Sequence, residues 1–342
     1  MLDAIPGASD NGAVGVTYDV VAVGNALVDV LAHANDEFLA AQQLHKGAMR
    51  LIDAEEAERL YAAMGPGVEA SGGSVANTAV GVASFGGRAA YIGKVRDDQL
   101  GRIFQHDIRA IGVDFEVPLA PHGPPTGRCL IVVTPDAERT MNTFLGIAAI
   151  LAPDDIDTEV IAQAQITYCE GYLWDVDIAK QAIRAAMDAA HSSGRKVALS
   201  LSDGFCVDRH RDEFRDLVAQ RVDILLGNEN EICSLYETDG CDDAVQRVRG
   251  RCELAFITRG PRGSVVVAGD DVHLVDSHPA EFIVDKTGAG DMYAAGVLYG
   301  LTHQYDVVTA AKLGSMAASE VIGHFGPRPL VALADLAHAT LA

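Results

Sequence analysis

The reading of this chain turns on IVDKTGAGDMYAAG, Ile283 to Gly296. Two glycines flank one alanine, an aspartate follows, and the chain then runs into small apolar residues. Phe282, Ile283 and Val284 read as the end of a buried strand, and MYAAGVLYGL, Met292 to Leu301, as a helix of small, close-packing residues. A helix start exposes unpaired backbone N–H groups and the positive end of the helix dipole. Glycines let a ligand approach such a backbone closely. The amides of Gly288, Ala289 and Gly290 are therefore expected to form an anion cradle. Asp291 is the odd member, an anion placed where the cradle would welcome another one. A phosphoryl-transfer site accounts for both features: the cradle takes charge building on the transferring group, while Asp291 orients the attacking hydroxyl and accepts its proton late. The plainer alternative is an ordinary helix start, where Asp291 adds only about 0.3–1 kcal/mol through the dipole.

Outward from this turn, strand-like and helix-like stretches alternate. DVVAVGNALVDVLA (Asp19 to Ala32) opens as a buried strand. AEEAERLYAAMG and SVANTAVGVASFG have helical spacing, and the second ends in a glycine pair as helices often do. The strand RAAYIGKV precedes the helix DDQLGRIFQHDIRAIG, and the alternation continues through ITYCEGYL, DIAKQAIRAAMDAAHSSG, KVALSLS, VDILLG, NENEICSLYE, LAFITRG and GSVVVAG. Such alternation predicts an α/β sandwich on a largely parallel sheet. Two stretches break the rhythm: KGAMRLID (Lys46 to Asp53) and the strand-rich run from Phe115 to Phe144, with a hairpin turning at Pro135-Asp136. Together they predict a small separate sheet. The expected division is a flexible leader over 1–17, a large α/β domain from 18–30, 54–114 and 146–342, and a discontinuous small β domain from 31–53 and 115–145.

Bulk properties narrow the partners. The chain has 342 residues, 49% of them hydrophobic, enough for one large core with a small appendage. Its 48 acidic against 26 basic residues give a net charge of −22, which argues against a nucleic-acid binder. The six cysteines form no CxxC pair and no zinc-like spacing, so free thiols in a reducing cytoplasm are expected. No stretch approaches the roughly 20 apolar residues of a membrane helix, and the N-terminus lacks the basic and apolar segments of a signal peptide. A cytoplasmic protein, monomer or homodimer, is expected. Gly87 to Val95 (GRAAYIGKV) has the wrong spacing for a P-loop, and no GxGxxG follows the first strand.

The motifs jointly resemble one family. DKTGAGD is similar to the D-T-x-G-A-G-D signature of the ribokinase-like (PfkB) kinases, with Lys286 at the usual Thr position. SGGSVANTAVGVASFGG followed by YIGKVRDDQLG resembles that family's N-terminal signature, NENE its N-x-x-E motif, and ITRGPRGS its strand before the nucleotide site. The resemblance covers the chain from about Asp19 onward. It implies a three-layer α/β/α sandwich with a small β-sheet lid, and transfer of the ATP γ-phosphoryl group, with Mg²⁺, to a primary hydroxyl of a sugar or nucleoside. It further implies Asp291 as base and Gly288, Ala289 and Gly290 as anion hole. Asn228 and Glu231 would organise phosphate and Mg²⁺ through water, although the same pair at a helix start would also cap it. Thr258, Gly260 and Gly263 would lie along the nucleotide; Lys286 would stand near ATP or point into solvent. A monovalent cation such as K⁺ is common in the family.

The acceptor is read from the other end of the chain. GNALVDV resembles the opening of the family's adenosine-phosphorylating members, which implies that Asn25 and Asp29 hold a ribose, with Gly72, Gly73 and Asn77 completing its pocket. An ionised carboxylate accepting from two adjacent hydroxyls is a strong polar clamp. Tyr172 in CEGYLW resembles an aromatic that stacks on the purine, or it is core; Arg139 in AERTMNTF resembles a lid arginine that reaches phosphate, or it is surface. The expected acceptor is the 5′-hydroxyl of adenosine or a related nucleoside. A free sugar such as ribose or fructose is the alternative. A non-catalytic nucleotide or nucleoside sensor is a third reading, disfavoured because a pure binder has no use for Asp291.

Overall fold

The computed structural model describes residues 15–136 and 138–341, so residues 1–14 of the expected leader lie outside the described residues. In chain order the strands are β1 (Tyr18–Val23), β2 (Leu27–His33), β3 (Met49–Leu51), β4 (Val68–Gly72), β5 (Ala89–Ile92), β6 (Val113–Asp114) and β7 (Gly127–Val133). They continue as β8 (Arg139–Phe144), β9 (Ala164–Glu170), β10 (Lys196–Ser200), β11 (Ile224–Asn228), β12 (Leu254–Thr258), β13 (Ser264–Ala268) and β14 (Asp271–Val275). The helices are α1 (Asp36–Ala41), α2 (Ala54–Ala63), α3 (Ser74–Ser84), α4 (Gln99–Ala110), α5 (Thr158–Ala162) and α6 (Asp177–Ser192). After them come α7 (Gly204–Gln220), α8 (Glu229–Tyr236), α9 (Cys241–Val248), α10 (Ala289–Thr302), α11 (Val307–Val321) and α12 (Leu333–Leu341).

A nine-stranded sheet runs β14-β13-β12-β11-β10-β9-β1-β5-β6, parallel from β6 through β12, with β13 and β14 antiparallel at one edge. Its central strands are apolar on both faces because helices cover both. Val21, Cys169 and Leu199 pack with Ile183 of α6 and Phe214 of α7, whereas Val20, Ala22 and Ile166 pack with Val75 of α3 and Val297 of α10. The small residues of α10 allow a close crossing with α11: a Cβ at Gly296 would fall 2.4 Å from the backbone N of Gly314.

The second sheet has five strands in the order β3-β8-β7-β2-β4. It recruits more of the chain than 31–53 and 115–145, since β2 begins at Leu27 and β4 is its other edge. Helix α2 also belongs with it, because Ala57 and Leu60 pack on Val30, Leu130 and Val132. The reason lies in Asp29: a carboxylate fits a sheet with one face on a cavity better than a strand buried on both sides. A second correction concerns Phe282, Ile283 and Val284, which form no strand and are 61%, 57% and 39% exposed. The large sheet ends at β14, so the segment before the glycine turn crosses as a loop, tied by a bond from the Val284 amide to the Ile322 carbonyl (2.8 Å). Three apolar residues are too short a run to distinguish strand from loop.

Candidate active site

A cavity of about 380 Å³ opens between the C-terminal ends of the large-sheet strands and one face of the smaller sheet. The first wall is made of strand ends and helix starts, the usual position for ligands on parallel sheets. It carries Asn25 after β1, Glu170 closing β9, Asn228 closing β11, Thr258 closing β12, and the first turns of α3 and α10. The second wall is the pleated sheet face, where alternate residues point the same way. Leu27 and Asp29 of β2, Cys129 and Ile131 of β7, Met141 and Thr143 of β8, and Met49 and Leu51 of β3 all line it. A larger cleft of about 700 Å³, around Tyr18, Lys94 and Asp155, contains none of the expected site residues.

Gly288 takes φ +79 and caps α10; a Cβ there would lie 2.5 Å from the Pro327 carbonyl oxygen. A Cβ at Gly290, by contrast, would meet no protein atom within 4 Å. The first glycine is required by the fold, and the second leaves open space at the start of α10. The Asp291 carboxylate accepts from Ser74 Oγ (2.7 Å) and Asn77 Nδ2 (3.1 Å), and its backbone carbonyl accepts from Thr78 Oγ1 (3.2 Å). Burial raises its pKa, opposed by the bonds from Ser74 and Asn77 and by the charge of Arg139. Raised basicity in a fixed orientation is what a proton acceptor needs.

The acceptor side has a consistent polarity. Asn25 donates to Glu170 Oε1 from its backbone N (2.8 Å) and from Nδ2 (2.6 Å). Asn25 Oδ1 and Asn77 Oδ1 are buried without a partner. Both amide groups are thus spent on carboxylates, which leaves the carbonyl oxygens as unfilled acceptors. Asp29 is 5% exposed, and its pKa is pushed up to about 7 by burial, lowered by Arg328 and raised by Asp291. Glu170 is likewise pushed up to about 7 by burial, against the bonds from Asn25 and Val75. Gly72 does not line the cavity but stands behind Asp29: a Cβ there would lie 2.2 Å from the carboxylate carbon. Gly73, with φ +99, leads into α3. Tyr172 lines the cavity, its hydroxyl donating to the Ser202 carbonyl (3.3 Å).

On the nucleotide side, Asn228 and Glu231 form a reciprocal capping box: the Glu231 amide donates to Asn228 Oδ1 (3.0 Å) and the Asn228 amide to Glu231 Oε2 (2.9 Å). Burial pushes Glu231 up to about 7, and both residues still line the cavity. Among the described residues no group of three or more His, Cys, Asp or Glu side chains could hold a metal. A Mg²⁺ that keeps most of its water would not need such a group, and Asn228 and Glu231 offer side-chain oxygens at this end of the cavity. Arg139 Nη1 donates to the Lys286 carbonyl (2.5 Å), which ties the smaller sheet to the loop carrying the cradle, and Lys286 Nζ lies 3.8 Å from Glu138. Thr258, Arg139 and Lys286 line the cavity; Gly260 and Gly263 stand outside it, at the β12–β13 turn, where a Cβ on Gly263 would collide with the Val275 carbonyl. The sequence reading missed Glu170 and Ser74, although a glutamate closing an apolar strand in ITYCE is a visible signal of a buried acid at a strand end.

The pfkB family carbohydrate kinase model matches residues 45–332. A crystal structure of adenosine kinase from Sinorhizobium meliloti is similar at 52% identity and a TM-score of 0.91, covering 94% of this chain and 99% of that one. A probable sugar kinase from Rhizobium etli CFN 42 is similar at 48% identity and a TM-score of 0.91, covering 94% and 98%. The 5-dehydro-2-deoxygluconokinase of Geobacillus kaustophilus is 29% identical over 262 residues, 73% of this chain and 78% of that one. The fold and cavity define a phosphotransferase for sugar or nucleoside acceptors. The chain belongs to the pfkB family of carbohydrate kinases, which use ATP and Mg²⁺.

Proposed function

We propose that this kinase transfers the γ-phosphoryl group of ATP to the 5′-hydroxyl of adenosine. The observation that carries the reading is a cavity that sets the unfilled acceptor oxygens of Asn25 and Asn77 against a largely apolar sheet face broken by Asp29. Unfilled oxygens on Asn25 and Asn77, with the Asp29 carboxylate, call for a substrate that donates hydrogen bonds, as ribose hydroxyls do. Met49, Leu51, Ile131 and Met141 offer a broad apolar surface, suited to the face of a purine and wasted on a small polyol. The similarity to the S. meliloti adenosine kinase supports the same choice.

In this mechanism the 5′-oxygen attacks Pγ. The O5′–Pγ bond forms, the bond from Pγ to the β,γ-bridging oxygen breaks, ADP leaves, and the hydroxyl proton passes to Asp291. Ser74 and Asn77 hold the Asp291 carboxylate in place, and the amides at the start of α10, of which that of Ala289 bonds to the Lys286 carbonyl (3.4 Å) in this structure, would take the charge on the phosphoryl oxygens. Arg139 and Lys286 add positive charge on that side, and Glu231 with Asn228 would hold the hydrated Mg²⁺, which neutralises phosphate charge when bound.

The second reading, a neutral free sugar, uses the same polar wall, and the similarity to the R. etli probable sugar kinase supports it. A sugar acid fits less well, because Asp29, Glu170 and Asp291 would oppose its carboxylate. The test is ADP formation from Mg-ATP with adenosine, ribose, fructose and 5-dehydro-2-deoxygluconate in parallel. Turnover on adenosine at least 100-fold above the others is expected; preference for a free sugar would replace the purine assignment and keep Asp291.

A further inference from the structure

We propose that Arg328 is a positioning residue for the acceptor substrate: held behind Gly72 by Asp107 and Ser71, its guanidinium supplies the positive charge against which the Asp29 carboxylate faces the cavity. The inference rests on the reading of Asp29 as the acceptor clamp. Arg328 lies in the loop between α11 and α12, its side chain 13% exposed. Nη1 donates to Asp107 Oδ2 of α4 (2.8 Å), and Nη2 donates to the carbonyl and to Oγ (2.5 Å) of Ser71 in β4. Ser71 closes the triangle, its N and Oγ each 2.7 Å from Asp107 Oδ2. Segments distant in sequence thus converge on one largely buried cation at Ser71, the chain neighbour of the glycine whose Cβ would meet the Asp29 carboxylate.

The groups around Asp29 are few. Cys129 lies beside it in β7, Ser71 and Gly72 in β4, and Asp291 across the cavity in α10; Asp107 of α4 is reached through Arg328. Among those shifting the Asp29 carboxyl, Arg328 alone favours the anion, against burial and Asp291. Asp107 is Arg328's ion-pair partner and offsets part of its positive charge. Removing either member of the pair breaks the same clasp but changes the charge behind Asp29 in opposite senses.

The experiment is the pH dependence of kcat/KM for adenosine in the full-length enzyme. Arg328→Met is expected to move the acidic limb up by about one pH unit, an approximately fivefold loss at pH 7 that recovers by pH 9. At saturating adenosine kcat should stay within about twofold, and Arg328→Lys should restore most of the limb. Asp107→Asn leaves the cation in place and is expected to move the limb to lower pH. A loss independent of pH, or limbs moving the same way in both variants, would reduce Arg328 to a structural clasp. Should Arg328→Met fail to fold, the Asp107→Asn and Arg328→Lys profiles decide alone. Asp29→Asn with undiminished kcat/KM for adenosine would remove the clamp reading itself, a failure distinct from an unmoved limb in the Arg328 variants.

Discussion

The two walls of the cavity are built by opposite uses of β-structure. The large sheet meets the ligand with its strand ends, where the chain leaves the ladder and each residue can be different: Asn25, Glu170, Asn228 and Thr258 come from four strands. The smaller sheet meets it with a face, where pleating repeats one direction every second residue and gives a continuous apolar surface broken by Asp29. Strand ends place single polar atoms, and a sheet face supplies area. Chemistry should therefore be concentrated in the first wall and acceptor size and shape in the second.

The hardest blow to this division is struck at Asp291. Asp291→Asn keeps hydrogen bonding to its neighbours and removes the proton acceptor, so kcat is expected to fall by roughly 10²–10⁴-fold. Adenosine affinity, read by calorimetry, should change little. Near-normal turnover would mean that the strand-end wall only binds.

Next come the two glycines of the cradle. Gly290→Ala has room for its methyl group in the apoprotein, so the melting temperature should hold within about one degree. That methyl group occupies the place argued for phosphate, and kcat/KM for ATP should drop by about 10²-fold, the scale of losing one oxyanion donor. Gly288→Ala reverses the pattern, because φ +79 and the Pro327 carbonyl leave no space, and a loss of stability of about 1–3 kcal/mol is expected. Equal effects at both positions would deny the cradle its function.

The sheet-face wall is tested by Met141→Gln, which keeps length and inserts a polar group. It should raise the KM for adenosine by about fivefold to tenfold, close to 1 kcal/mol, and leave kcat unchanged. Any weak turnover of ribose should be unaffected, since the proposed ribose contacts are Asn25, Asn77 and Asp29 rather than Met141. Parallel losses for both acceptors would erase the distinction between the walls.

Legibility in the sequence followed the same division. Strand-end residues were visible because motif chemistry is local: TGAGD, NENE and GNALVD each carry their geometry within a few residues. The sheet face was only half visible. MRL and GRCLIVV read as strands, but which of their alternate residues line the cavity depends on pairing with β2, which the expected division split between the two domains at residue 30. Glu170 and Arg328 were missed for a related reason. Their partners Asn25 and Asp107 lie 145 and 221 residues away, beyond any local pattern. Phe282 to Val284 failed in the opposite direction, since an apolar triplet is compatible with strand, helix or loop, and only the sheet's end at β14 decides.

The smallest expected effect lies at the junction of the two walls. Asp98 caps α4, accepting from the Gly101 amide (2.9 Å), and also accepts from the Thr126 amide (2.9 Å) and hydroxyl (2.7 Å) just ahead of β7. It therefore joins a helix of the large sheet to the lead-in of the smaller one. Burial works to raise its pKa, but the bonds from Thr126 and Gly101 outweigh burial, and the net direction is down. A folded pKa below the unfolded value means stability present above about pH 4, near the unfolded aspartate pKa, and lost as pH falls through the folded value. Asp29 has the opposite sign: its folded pKa of about 7 lies above the unfolded one, so the native state binds the extra proton, and its contribution becomes less favourable as pH rises from about 4 to 7. Asp98→Ala should cost about 1 kcal/mol at neutral pH, with the difference from wild type shrinking on acidification. Asp29→Asn should instead gain stability relative to wild type as pH rises toward 7. Denaturant melts at pH 3.5, 5.5 and 7.5 separate the two, and the same slope in both variants would mean that the two carboxylates do not sit in the contrasting environments that the walls provide.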